Sequence, residues 1–238
     1  GGAWLDDLQS PSLALLAHGQ RFYLAGNPGA PNPLPALTHF FQGTVLPYAR
    51  QAGWEVLVVY GDTPAWEAIL AGVFTGLRLQ PSERQYYAIQ PRVLPAPLEL
   101  ADGFRFVPAD GSLLSDPEIE GLEALREEMC SERDSVEEFL EKSFGLCPLF
   151  GNQLAGWCLS EYNTAGRCEI GIATLPPYQR RGLATLQTLA FLDQAARQGY
   201  QQVGWHCYTR NLPSAATARK AGLALVKQYT SYLAWLDS

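Results

Sequence analysis

Cys168-Glu169-Ile170-Gly171-Ile172-Ala173-Thr174-Leu175, followed at once by Gln179-Arg180-Arg181-Gly182-Leu183-Ala184, is the stretch from which the rest of the chain can be read. The first run is apolar except for one carboxylate and reads as a buried strand. The residues from Leu183 to Gln198 read as an amphipathic helix. A strand, a short basic turn carrying a glycine, and a helix start make an anion site. The first helical N–H groups lack partners inside the helix, and the dipole is positive at that end. The pattern therefore predicts a phosphate-bearing ligand at Gln179–Thr185.

Working outward from that turn, Gln202–Thr209 reads as a strand. Ser214–Ala221 reads as a short helix stopped by Gly222, and Ala224–Leu236 as a final strand. Upstream, Gly151-Asn152 is a tight-turn signal joining Cys147–Phe150 to Gln153–Tyr162. Ser135–Phe144 reads as a helix with Ser135 and Glu138 in capping-box spacing and Gly145 closing it. Asp116–Met129 reads as another helix, with Asp116 as N-cap and Pro117 in its first turn. Phe104–Val107 precedes these as a strand. The order from there on is β-α-α-β-β-β-α-β-α-β-β.

Pro91, Pro95 and Pro97 mark an extended connector, which places a domain boundary there: a small α/β domain over 1–97 and a second domain over 98–238. In the first, Leu5–His18 and Ala36–Ala52 read as helices, and Phe22–Ala25, Trp54–Tyr60 and Gln85–Gln90 as strands. The stretch from Gly26 to Pro35 reads as a loop. Thr63 and Pro64 suit the N-cap and first position of a further helix.

The bulk numbers narrow the function classes. Of 238 residues, 47% are hydrophobic and 17% charged, a globular composition with ample core material. A formal charge of −7 argues against general nucleic-acid or anionic-membrane binding and favours cationic substrates. Cys130, Cys147, Cys158, Cys168 and Cys207 are odd in number and form no Cys-x-x-Cys, so free thiols in a reducing, cytoplasmic compartment are expected. With only 3 histidines, no metal site is expected.

The element order with Gln-x-x-Gly-x-Ala at its centre resembles the GNAT superfamily of acyl-CoA N-acyltransferases, an α+β fold with a mixed, splayed central sheet. The matching residues include Gly156–Tyr162, Cys168–Thr174, Tyr178–Thr185 and Gly204–Cys207, then Asn211 and Ser214 leading to Ala221-Gly222-Leu223. Within it the chain most resembles the zwittermicin A resistance branch, which carries an extra N-terminal domain. The resemblance implies acetyl-CoA as co-substrate. Its pantetheine arm would lie along the backbone of Ile172, Ala173 and Thr174. Its diphosphate would rest on the turn formed by Gln179, Arg180, Arg181, Gly182, Leu183, Ala184 and Thr185, with Asn211 and Ser214 contacting the cofactor. The reaction implied is attack of a small-molecule amine on the thioester, and a homodimer is compatible with this reading. The tyrosine that commonly protonates the leaving thiolate is here Ala218.

An alkylammonium must lose a proton to attack. Glu169, a lone carboxylate in an apolar strand, is the foremost candidate base, because burial would raise its pKa. Glu161 is a candidate for binding a cationic head group and His206 for relaying a proton. Two other readings stand beside the enzyme of small amines: a non-catalytic acyl-CoA-binding module, suggested by Ala218, and an acetyltransferase of peptide or protein amines with the N-terminal domain as a lid.

Overall fold

The computed structural model describes residues 1–29, 33–131 and 133–236. Residues 30–32 of the expected loop and the last two of the second expected domain thus lie outside the described residues. The chain forms two compact units, Gly1–Arg84 with the residues from Gln228 on, and Gln85–Lys227.

The first unit contains β1 (Gly2–Leu5), β2 (Leu13–His18), β3 (Arg21–Gly26), α1 (Pro33–Phe40), α2 (Leu46–Gln51), β4 (Val56–Gly61) and α3 (Trp66–Val73). A π-helical turn, Phe41–Val45, joins α1 to α2, so Ala36–Ala52 is helical as expected. Leu5–His18 is not a helix. The Asp6 carboxylate accepts from the backbone of Asp7, Ser12 and Leu13 and folds the segment into a loop. Leu13–His18 then pairs antiparallel with both β1 and β3. Alternate leucines, Leu13 and Leu15, enter the core beside Phe22 and Leu24. Strand β3 pairs parallel with β4. Thr63 and Pro64 form a turn ahead of α3 rather than its cap, because Asp62 is held by the Gly26 N–H and the Trp66 indole.

The second unit contains the end of β5 (Arg78–Ile89), then β6 (Phe104–Pro108), α4 (Gly111–Leu114), α5 (Leu122–Met129), α6 (Val136–Lys142), β7 (Gly145–Phe150), β8 (Gln153–Leu154), β9 (Gly156–Thr164), β10 (Arg167–Thr174), α7 (Leu183–Arg197), β11 (Gln202–Tyr208), α8 (Leu212–Lys220) and the start of β12 (Ala224–Trp235). Its strand order is β5-β11-β10-β9-β7-β6, with β8 on β7. Strands β10 and β11 run parallel, while β9 is antiparallel to both β10 and β7. The sheet is therefore mixed, and the class is α+β.

One face of this sheet, with Cys168, Ile170, Val203, Trp205 and Cys207, packs on Phe191 and Ala195 of α7 and Ala215 and Ala218 of α8. The other face carries Trp157 and Leu159, which pack with Leu125, Met129 and Phe139 of α5 and α6. Cys147, Cys158, Cys168 and Cys207 are buried and in no disulfide; burial pushes the thiols of Cys147 and Cys168 up to about 12.

Three local readings differ from the structure. The helix expected over Asp116–Met129 begins only at Leu122. Asp116 closes a short turn on the Glu118 N–H, and the Glu120 backbone bonds to Asn152 and Leu154, which withholds it from a helix. Asp110, whose carboxylate accepts from Ser112 and Leu113, instead caps the unforeseen helix α4. Gly145 opens β7, and Ser143 closes α6; Ser135 does cap α6 on the Glu138 N–H. The compact units also do not divide at 97/98. Long strands β5 and β12 each contribute to both, and the Pro-rich connector is tied down where the Leu94 N–H meets the Asp193 carboxylate of α7.

Candidate active site

The ladder between β10 and β11 pairs Arg167 with Gln202, Cys168 with Val203 and Glu169 with Gly204, and ends there. Beyond Glu169 the two parallel strands part. On its other side β10 stays paired with β9 through Thr174. The Leu175 N–H bonds to Ala155 O, which sets the alternation: odd-numbered backbone groups of β10 face β9. Ile172 and Thr174 therefore turn their backbone groups toward the gap. Ala173 faces β9, and its carbonyl also accepts from the Gln187 amide at 3.0 Å.

The turn after β10 is braced by Gln179, whose Nε2 donates to Thr174 O at 2.8 Å. Arg180 has φ 62° and Gly182 φ 78°, two left-handed residues on either side of Arg181. A non-glycine residue held in that region is uncommon and marks strain retained for a purpose. Alternating hands along a turn converge backbone N–H groups into an anion-binding concavity. Among the described residues, no acceptor in the chain meets the N–H groups of Arg181, Gly182, Leu183 or Ala184, while Thr185 donates back to Gly182 O. Both arginine side chains are exposed. The cradle thus consists of main-chain donors at the start of a long helix. The N–H groups of Arg181 to Ala184 line it, and Gln179 holds the turn's shape.

Asn211 caps α8 by accepting from the Ser214 N–H at 3.2 Å, and the Ser214 hydroxyl accepts from the Trp205 indole at 2.9 Å. Both residues sit just past the end of β11, and these bonds fix α8 to the strand.

Glu169, Glu161 and His206 come together. Glu161 is the register partner of Glu169 in an antiparallel pair, so both side chains leave the same face. Each carboxylate lies over a glycine of the next strand, Glu169 over Gly204 and Glu161 over Gly171, where a Cβ would collide with it. His206, two residues beyond Gly204, shares that face and puts Nε2 3.7 Å from Glu169 Oε2. Glu169 Oε2 is buried and accepts no hydrogen bond. Desolvation pushes the Glu169 carboxyl up to about 7. A group that titrates near neutrality, at the point where two strands part, is suited to take a proton from an ammonium.

Replacing Gly204 by Ala tests this arrangement, because the new methyl occupies the carboxylate's place. Acetyl transfer should fall by on the order of 10²-fold, with a small change in melting temperature. A rate equal to that of the parent would show that the carboxylate is not needed where it stands.

Two residues of the site escaped sequence reasoning. Tyr86, near the end of β5, stacks on His206 with ring centroids 4.5 Å apart. A tyrosine in a strand gives no local signal of this. Gln187 is fully buried on α7 and donates to Trp157 O, Ala173 O and the Thr174 hydroxyl. Its signal was readable: a lone amide in the apolar stripe Leu183, Phe191, Ala195. No cluster of three or more metal-ligating side chains occurs among the described residues. No helix among them is long and apolar enough to cross a membrane.

The second unit thus presents a mixed α+β sheet whose two parallel strands part, followed by a turn of unpaired main-chain N–H groups. A profile described as GNAT acetyltransferase matches residues 1–232. The chain belongs to the GNAT acetyltransferase family, and the match takes in both compact units. No curated protein matches the chain in sequence. The fold is similar to that of a GCN5-related N-acetyltransferase-like protein from Streptococcus suis 89/1591, with TM-score 0.63 and 21% identity over 98% of this chain and 87% of that one. It is also similar to a GCN5-related N-acetyltransferase from Sphaerobacter thermophilus (TM-score 0.62, 15% identity, 96% of this chain and 78% of that one). A third similar structure is a tandem GNAT protein from the clavulanic acid biosynthesis pathway (TM-score 0.61, 13% identity, 99% of this chain and 83% of that one).

Proposed function

We propose that this acetyltransferase carries an acetyl group from acetyl-CoA to a primary amine of a small molecule. The observation that carries the reading is the end of the β10–β11 ladder at Glu169 and Gly204, with the Arg181–Ala184 turn following β10 and Glu161 in register with Glu169. Main-chain donors there suit a diphosphate, and the backbone edge that Ile172 and Thr174 turn away from β9 suits an amide-bearing arm. The co-substrate supplies an activated thioester.

The protein's own groups do the rest. Glu169, as carboxylate, takes the proton that the substrate ammonium must lose. Glu161 on the neighbouring strand holds the cationic head group, and His206 passes the proton outward. The net charge of −7 favours approach of a cation. The resemblance to the zwittermicin A resistance branch makes an aminopolyol a rational first acceptor. Ala218 is buried in the core of the second unit, so the leaving thiolate is protonated from elsewhere, with solvent sufficient for so stable an anion.

The test is thiol release from acetyl-CoA with a panel of aminopolyols, polyamines, aminoglycosides and peptide N-termini. Release with a small amine supports the reading. Tight acetyl-CoA binding with no thiol release on any amine would replace it with a binding module, and release on peptides alone with a peptide acetyltransferase.

A further inference from the structure

Tyr86 has no place in the chemistry so far, yet three contacts join it to the site. Its ring lies nearly parallel to the His206 imidazole, at an interplanar angle of 21° and 4.5 Å between centroids. Its hydroxyl accepts from Gln202 Nε2 at 3.2 Å, and Gln202 pairs with Arg167 where the parallel ladder begins. Burial pushes its phenol up, and the charge of Glu169 adds to this. The imidazole keeps a third of its side chain exposed, on a strand that lies between β5 and β10. Stacked on Tyr86, it puts Nε2 3.7 Å from Glu169 Oε2.

We propose that Tyr86 is a positioning residue: its ring, anchored through Gln202, holds the His206 imidazole against Glu169 so that the buried carboxylate has an outlet for its proton. The proposal rests on Glu169 as the base. The substrate N–H bond breaks as the Glu169 O–H bond forms. That O–H bond then breaks as the His206 Nε2–H bond forms, and the imidazolium gives a proton to water. Both side chains return to their starting charge, and no further reactant is required. The titratable groups that meet the imidazole are Glu169 on β10 and Tyr86 on β5, with Glu161 of β9 opposite Glu169, Arg167 of β10 acting on Tyr86, and Tyr208 two residues further along β11 on the same face.

The test needs no substrate, so its failure is distinct from failure of the acetyltransferase reading. The protein has 3 histidines, and His18 and His39 belong to the first unit. NMR of the full chain therefore resolves His206 by comparison with His206→Gln. In the unsubstituted protein, the His206 ring protons should be displaced upfield by the face of Tyr86, and resonances typical of a free imidazole would overturn the proposal. The shift of the His206 titration midpoint caused by Glu169→Gln is then measured in three backgrounds. It should be present in the parent, retained in Tyr86→Phe, which keeps the ring, and lost in Tyr86→Leu. An equal shift in Tyr86→Leu would show that His206 is held without Tyr86. If Tyr86→Leu does not fold, the ring-proton displacement in the parent and in Tyr86→Phe still decides the matter.

Discussion

Glu169→Gln should lower the rate of acetyl transfer by about 10²-fold or more and abolish the rise in rate with pH that the parent shows around neutrality. The carboxyl titrates at about 7 because burial disfavours its charged form, so only above that pH is most of the protein ready to accept a proton. Glutamine keeps the shape over Gly204 but accepts no proton. The same substitution should have an opposite effect on stability. The folded-state pKa lies above the ordinary 4.5. Between these values the native protein binds more protons than the unfolded chain, so stability falls as pH rises through that window. The neutral amide escapes this cost, which amounts to roughly 3 kcal/mol above pH 7. Glu169→Gln should therefore melt at a higher temperature than the parent at pH 8, and the advantage should vanish near pH 4. A pH–rate profile unchanged by the substitution would remove Glu169 from the mechanism.

The second large effect is expected at Gly182→Trp. The position has φ 78° and caps α7. No atom lies within 4 Å of where a Cβ would stand, so a side chain there displaces nothing in the core. The left-handed backbone costs a non-glycine residue about 1–2 kcal/mol. The indole would cover the N–H groups that form the cradle. Hydrogen bonds to a charged partner contribute about 1.5–3 kcal/mol each, so losing two of them lowers acetyl-CoA affinity by about 10²-fold or more. Isothermal titration with acetyl-CoA measures this directly, and circular dichroism should show the fold retained. Undiminished affinity would place the diphosphate elsewhere.

The glycine turn at the start of α7 and the buried carboxylate were both legible in the sequence, for a physical reason. The cradle depends on a turn glycine and a helix start a few residues apart, and Glu169 stands out because its neighbours in the strand are apolar. The hairpin at Gly151-Asn152 and the Ser135 cap were legible for the same reason: each is made by residues within a turn of one another.

Readings failed where the partner of a segment lay far along the chain. Leu5–His18 has apolar residues at spacings that suit either period, and pairing with β3 made its second half a strand. The residues after Asp116 carry helix-start signals, yet the Glu120 backbone is taken by β8 and the turn before it. The prolines at 91, 95 and 97 do mark an extended connector, but continuous strands, not connectors, link the two compact units.

The sequence alone thus determined where a glycine turn would open a helix with unpaired N–H groups and which carboxylate would be buried, because turn geometry and strand polarity are local properties. Only the tertiary structure decided that the β10–β11 ladder stops at Glu169 and that each glutamate finds its space over a glycine of the next strand. It also decided that Tyr86 meets His206. These depend on strand register and sheet order, which arise from contacts between distant segments and leave no trace in the spacing of neighbours.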